Sequence, residues 1–419
     1  MTLDLAGVGV GPFNLSLAAL ADPVPGLRTA FFERRAEFRW HPGLLIDGAT
    51  LQVPFLADLV TLVEPAHPLS FLSYLRDRDR LFPFYFAERF HIPRAEYDDY
   101  CRWASERLPS CRFGAEVSSV RWDGAAFELA LPGGPVSARN LVLGVGTEPV
   151  VPAPLRTLAV HSADYLAERD KLLTAGEVTV VGSGQSGAEV VLDLLRRGVG
   201  RLRWLARTPA FAPMEYSKLG LEQFTPDYTR YFHGLDQRVR DRLVPEQWQL
   251  YKGIDADTIA AIHDELYQRS IGGGWPDVRL TPGVEVVGAR PGIELDLRHT
   301  QQGTTATVRT DAVVCATGYA EPDLGPLLGD LPVRDGDGRI QVDADYRVRL
   351  DPAVTGAVYV QNAERHTHGV GAPDLGLAAW RAATILNAVC GREVYRLPAR
   401  TAFTTFGLDT LGTETGEAH

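Results

Sequence analysis

Two glycine-dense stretches, each wedged between an apolar run and a helical pattern, constrain this chain more than anything else in it. Gly7-Val-Gly9-Val-Gly11-Pro12 follows the β-like run 4–8, leads into helix-like residues 13–20, and is succeeded by a second apolar run, 28–32, that ends at Glu33. Gly182-Ser183-Gly184-Gln185-Ser186-Gly187 repeats the arrangement after 178–181, with a helix expected to residue 197 and a strand over 201–206 that ends beside Arg207. One glycine permits the sharp turn, another lets backbone approach a pyrophosphate, and the N-terminus of the following helix favours negative charge. The chain is therefore expected to be an α/β protein holding two Rossmann-like dinucleotide-binding domains. The acid after the first unit suits a ribose 2′-hydroxyl, and the arginine after the second suits a 2′-phosphate. That division assigns FAD to the first unit and NADPH to the second.

The 419 residues are enough for two or three cores. The first dinucleotide domain is expected over 1–165 and 313–400, the second over 166–210 and 276–312. Residues 211–275 change character: Ile259, Ile262 and Leu266 recur at helical spacing among many aromatic residues, which predicts a smaller, largely helical substrate domain. Tyr97, Tyr100, Ala104 and Leu108 predict the buried stripe of a helix over 94–108. The proline-rich 149–154 reads as a linker, a last strong helix is expected over 374–389, and 401–419 forms a tail expected to be disordered after about Thr410.

A net charge of −11 with no Lys/Arg-rich block argues against nucleic acid or an anionic membrane as partner. No apolar run of about 18 residues and no basic leader stand in the sequence, so neither a membrane span nor a signal peptide is expected. Cys101, Cys111, Cys315 and Cys390 form no C-x-x-C pair and no zinc spacing. Reduced thiols in a cytoplasmic protein, and no metal, are expected. Disulfide reductases also combine two dinucleotide sites, but they need a redox cysteine pair beside the flavin. Without one, hydride passed from NADPH to flavin must leave by another acceptor, and dioxygen is the obvious one.

With these motifs in view, the chain resembles the FAD- and NADPH-dependent N-hydroxylating monooxygenases of siderophore biosynthesis, which act on lysine, ornithine or aliphatic diamines. The resemblance runs from about Leu5 to Leu408. It rests on Gly9-Val-Gly11-Pro12-Phe-Asn14-Leu15, Trp40-His41, Leu51-Gln52-Val-Pro-Phe-Leu-Ala57-Asp58-Leu59-Val60 and Gly182 to Glu189. It continues through Ala316-Thr317-Gly318-Tyr319, Gln361-Asn362-Ala-Glu-Arg-His366-Thr-His368-Gly369, Pro373-Asp374-Leu375-Gly376 and Trp380-Arg381. It implies chemistry through a flavin hydroperoxide attacked by a neutral primary amine, with the cofactor carrying the hard step and the protein excluding water. It implies Gln52 beside the flavin and nicotinamide, Trp40 and His41 in the FAD site, and a helix starting near Asp374 and Leu375 that points its N-terminus at the ring. His366 and His368 are read as packing residues.

The resemblance also bears on substrate. It sets Ala57, Leu221, Glu222, Gly253 and Asn362 around the amine. Amino-acid hydroxylases of this family carry a lysine in place of Ala57, and the ornithine enzymes an asparagine in place of Leu221. A carboxylate buried without a partner is costly. The expected substrate is therefore a diamine, putrescine or cadaverine, with Glu222 a candidate for its distal ammonium. Lysine is the alternative, then ornithine. A Baeyer–Villiger-type oxygenase lacks support, because His161 stands without that group's preceding Phe and Gly. The expected assembly is a homo-oligomer, a dimer or a tetramer.

Overall fold

The N-terminal apolar run becomes an inner strand of a largely parallel sheet. Leu3–Val8 is buried from Leu5 onward and lies parallel to both Thr29–Phe32 and Val136–Leu143. Its near-continuous hydrophobicity is what a strand covered on both faces requires. Ala357–Val360 joins the same sheet parallel to Val136–Leu143, and Phe127–Ala130 and Ser119–Trp122 extend it antiparallel. Helix Pro12–Ala21, every residue of which is buried, packs against Ala378–Cys390 and Arg94–Ser105. Tyr97, Tyr100 and Ala104 turn inward from that last helix, as their spacing predicts, and Trp103 joins them. The computed structural model describes residues 2–408, so the disorder expected after Thr410 lies outside the described residues.

A second, fully parallel sheet runs Val278–Pro282, Arg201–Ala206, Glu177–Val181, Ala312–Cys315, Val160–His161. Helix Gln185–Arg196 covers it together with Ala256–Ser270. Two strand pieces correct the sequence division. Residues 160–161 and 313–315 are hydrogen-bonded into this second sheet, because Ala312–Cys315 fills the place beside Glu177–Val181. The proline-rich 149–154 is likewise no free linker. Glu148–Pro149 pairs antiparallel with Tyr319–Ala320, so the outgoing and returning crossings between the two sheets lie side by side. Two other elements are shorter than expected. The helix expected over 94–108 ends at Ser105. The helix expected from residue 374 opens as the 3₁₀ turn Leu375–Leu377, with α-helix only from Ala378.

The helical insertion divides its packing between the two halves. Pro226–His233 buries Tyr228 and Phe232 near Val370, on the first half. Ala256–Ser270 lies on the second. Side-chain caps start these helices: Thr225 accepts from Tyr228 N at 3.4 Å, Asp236 from Arg238 N at 2.9 Å and Asp255 from Thr258 N at 3.0 Å.

Candidate active site

Both glycine turns open onto one cleft of about 1880 Å³. Pockets for one small ligand occupy roughly 300–1,000 Å³, so this one can take more than a single cofactor. Its walls include Gly9, Gly11, Pro12, Glu33, Trp40, His41 and Gln52 from the first half. The second contributes Gly182, Ser183, Gly184, Gln185, Ser186 and Arg207; Thr317, Gly318 and Tyr319 come from the returning crossing. Gly253, Asn362, Asp374 and Leu375 complete the set brought together from the residues singled out in the sequence.

The two turns are built alike. Gly9 has φ +86° and Gly182 φ +135°, conformations that side chains rarely tolerate, and a Cβ on either would strike a backbone carbonyl, of Gly144 or Ala316 respectively. Gly11 and Gly184 occupy the N-cap positions with extended backbone. Neither helix has a side-chain cap or an acid in its first turn. The first N–H groups of both helices are thus left for an external anion, and no atom stands within 4 Å of a Cβ built on Gly11. These features fit two pyrophosphates. Gly7 and Gly187 do not line the cleft. A Cβ on Gly7 would meet Phe31 at 2.1 Å, and one on Gly187 the Gly182 carbonyl at 2.7 Å, so these two glycines serve close packing.

Around the first turn the polar groups are held firmly. Glu33 accepts from Val10 N at 3.0 Å and from Arg35 N at 3.0 Å, which ties the carboxylate to the glycine turn. Asn14 donates to the carbonyls of Val8 and Gly9 and accepts from Gln361 Nε2 at 2.6 Å. His41, with φ +46°, sits edge-on between Trp40 and Tyr319. Burial first, then the nearby charges of Arg94 and Arg35, push its imidazole down to about 4, so it is neutral at pH 7. Asp374 caps the 3₁₀ turn by accepting from Gly376 N at 2.7 Å, and burial pushes its carboxyl up to about 6. Beneath it, Arg381 and Glu364 form a fully buried pair at 3.0 Å.

Gln52 is fixed from two sides. Its Nε2 donates to Thr50 O at 3.2 Å, and its Oε1 accepts from the Tyr216 hydroxyl at 2.6 Å. Gln185 Oε1 accepts from Asp255 N at 2.8 Å while its Nε2 donates to Glu189 and Thr258. Glu189 in turn forms a two-point pair with Arg94, both contacts at 2.7 Å. Sequence reasoning did not single out Arg94. The signal was Glu189 itself, an acid among Ala188, Val190 and Val191 on the buried side of its helix, which demands a cation.

Three residues expected near the amine stand elsewhere. Ala57 is buried and does not line the cleft, and neither do Leu221 and Glu222. Glu222 is not open to a distal ammonium: it accepts from Phe403 N at 2.9 Å, Thr404 N at 2.7 Å and the Thr404 hydroxyl. Its residue type suited a cation, but the C-terminal segment supplies donors closer at hand. All four cysteines are free, and burial pushes Cys111 and Cys315 each up to about 12, far from a reactive thiolate. His366 and His368 pack against Ile340 O and the Tyr346 ring. Among the described residues no cluster of three or more metal-binding side chains occurs, and no helix is long and apolar enough to cross a membrane.

A family model described as L-lysine 6-monooxygenase/L-ornithine 5-monooxygenase matches residues 1–321. The rhizobactin siderophore biosynthesis protein of Rhizobium meliloti is 46% identical, over 98% of this chain and 96% of its own length. The putrescine N-hydroxylase of Shewanella oneidensis is 40% identical, over 96% of this chain and 84% of its own. The crystal structure of the FAD-bound cadaverine monooxygenase of the desferrioxamine pathway from Erwinia amylovora superposes with a TM-score of 0.92 at 39% identity, covering 97% of this chain and 99% of that one.

Proposed function

Because the chain belongs to the L-lysine 6-monooxygenase/L-ornithine 5-monooxygenase family, we propose that it hydroxylates one primary amine of an aliphatic diamine, putrescine or cadaverine, with NADPH and dioxygen, for a hydroxamate siderophore or related product. FAD supplies the oxygen-activating chemistry. Gly9, Gly11 and Pro12, with Glu33, hold the FAD pyrophosphate and ribose. Trp40, His41, Thr317, Gly318, Tyr319, Asp374 and Leu375 complete its site. Gly182, Ser183, Gly184, Gln185 and Ser186 hold NADPH, with Arg207 on its 2′-phosphate. Gln52, steadied by Tyr216, stands where the two rings meet, and Gly253 and Asn362 border the amine. The first sheet and its helices form the FAD domain, the second sheet the NADPH domain, and the helical insertion the substrate domain.

The observation that carries the diamine reading is the missing cation at Ala57, where the resemblance places a lysine in the amino-acid hydroxylases: Ala57 is buried outside the cleft lining and has no long arm to carry a charge into it. A carboxylate in the cleft would therefore lose water without gaining that partner, which costs several kcal/mol. Similarity to a putrescine N-hydroxylase and a cadaverine monooxygenase supports the same choice. Hydroxylamine formation and NADPH oxidation with putrescine, cadaverine, lysine and ornithine test it. Either diamine should exceed both amino acids in kcat/KM. A tenfold preference for lysine would make lysine the substrate and leave another cation to hold its carboxylate.

The protein works as a homo-oligomer in this reading, and in the cytoplasm, where free thiols persist. The exposed Phe82, Tyr85, Phe86 and Phe90 form an apolar face of the kind that subunits cover. Sedimentation of the purified enzyme checks the assembly; a monomer at micromolar concentration would remove it.

A further inference from the structure

The helical insertion and the returning chain place two cations on the cleft that the second glycine turn lines, and neither belongs to the dinucleotide fingerprint. Lys252 follows the short helix Trp248–Tyr251. Its carbonyl lies 3.5 Å from where a Cβ on Gly184 would stand, so Lys252 sits directly above the uncapped N-terminus of helix Gln185–Arg196. Arg365 comes from a separate segment, at the start of Arg365–His368. Both line the same cleft as Gly182–Ser186. They flank one ring: Lys252 Nζ stands 5.2 Å and the Arg365 guanidinium 5.6 Å from the centroid of Tyr251.

This grouping is electrostatically unfavourable as it stands. Burial and then the charges of Arg365 and Arg207 hold the Lys252 ammonium below its usual range, and no acid is among the groups acting on it. Arg365 Nε is a buried donor with no hydrogen-bond partner among the described residues. Glu321 accepts from the Arg365 backbone N at 3.4 Å, and no salt bridge holds the guanidinium among the described residues. Three cations beside a helix N-terminus make a field suited to an anion of more than one charge.

We propose that Lys252 and Arg365 form a second anion clamp that closes over the pyrophosphate of the nicotinamide dinucleotide, joining the insertion and the FAD half to the coenzyme. The assignment rests on reading the second glycine turn as the NADPH site. Arg207 acts on the 2′-phosphate and distinguishes the two coenzymes. The clamp acts on the part they share and does not distinguish them.

The test is titration of FAD-loaded enzyme with NADP⁺ and with NAD⁺ by calorimetry, which requires no turnover and no amine. Lys252→Met and Arg365→Gln should each weaken NADP⁺ and NAD⁺ in parallel, by about ten- to a hundredfold, with flavin content and melting temperature retained. Arg365→Lys, which keeps the charge, should recover part of the loss and serves if Arg365→Gln does not fold. Unchanged NADP⁺ affinity in either flavin-loaded variant overturns the clamp. So does weakening of NADP⁺ alone, which would move the two residues to the 2′-phosphate, and so does loss of FAD, which would give them to the other cofactor. Failure of the wild-type enzyme to hydroxylate a diamine would leave these titrations standing.

Discussion

The Tyr216 hydroxyl donates to Gln52 Oε1 at 2.6 Å, across 164 residues of sequence. The contact makes one side chain at the cleft depend on the insertion. Gln52 follows the buried Leu51 in the first half. Tyr216 belongs to the loop that leads into Leu221–Phe224. Any movement of the insertion relative to the first half therefore reaches the amide that stands between the two cofactors in the proposed function.

Removing that hydroxyl tests the dependence. Tyr216→Phe keeps the ring and frees the amide, at a cost typical of one neutral hydrogen bond, about 0.5–1.5 kcal/mol. The expected result is a several-fold rise in hydrogen peroxide released per NADPH, with flavin content unchanged. Peroxide yield against hydroxylamine yield measures it. Wild-type coupling in Tyr216→Phe would show that the contact does not position Gln52 for the reaction.

Coenzyme choice should rest on Arg207, which lines the cleft at the end of strand Arg201–Ala206. Arg207→Ala removes one charge-assisted contact, worth about 1.5–3 kcal/mol, or roughly ten- to a hundredfold in affinity. The Michaelis constant for NADPH should rise by that factor while NADH is almost unaffected. Equal damage to both coenzymes would disprove the assignment.

The Arg94–Glu189 pair fastens the first half to the second in a nearly dry setting. Arg94→Met leaves Glu189 buried and uncompensated, a loss of about 3–5 kcal/mol. Adding Glu189→Gln removes the stranded charge and keeps an acceptor for Gln185, so the double variant should melt above Arg94→Met alone. Differential scanning fluorimetry compares them. A double variant no more stable than the single one would mean that the arginine contributes by packing alone.

His41 sets a pH limit on the flavin-free protein. An unfolded histidine titrates near 6.5, and the folded one near 4. Between those values the unfolded chain takes up a proton that the folded chain refuses, so stability falls as pH falls through that window. Its backbone has φ +46°, which asparagine tolerates better than most residues. His41→Asn should accordingly show a smaller drop in melting temperature from pH 7 to pH 5 than wild type does. Identical drops would place the pH sensitivity elsewhere.

Much of this was legible in the sequence because the informative signals were local. Strand, glycine turn and helix follow one another within about twenty residues, and their chemistry dictates φ, packing and an uncapped helix start together. The stripe Tyr97, Tyr100, Ala104 was legible for the same reason. What escaped depends on residues far apart in sequence. Nothing near Glu189 announces Arg94, and nothing near Gln52 announces Tyr216. The assignment of 313–315 to the first half followed from the motif after it, whereas the strand's place was decided by the open side of Glu177–Val181. The charge of Glu222 suggests a cation, yet its partners are the backbone amides of Phe403 and Thr404 and the Thr404 hydroxyl.

Those amides tie an early segment to a late one. Glu222 binds Phe403 and Thr404, Asp227 accepts from Thr401 N at 2.6 Å and Ala402 N at 2.9 Å, and Phe406 packs on Tyr228 and Tyr231. On the ribosome, residues 221–233 emerge long before the residues that secure them. The helical insertion therefore cannot take its final fastening until residues 401–406 have been made. A chain cut short before residue 401 would carry both glycine turns and every cleft residue named above, yet lack the last stitch that holds the insertion against the rest.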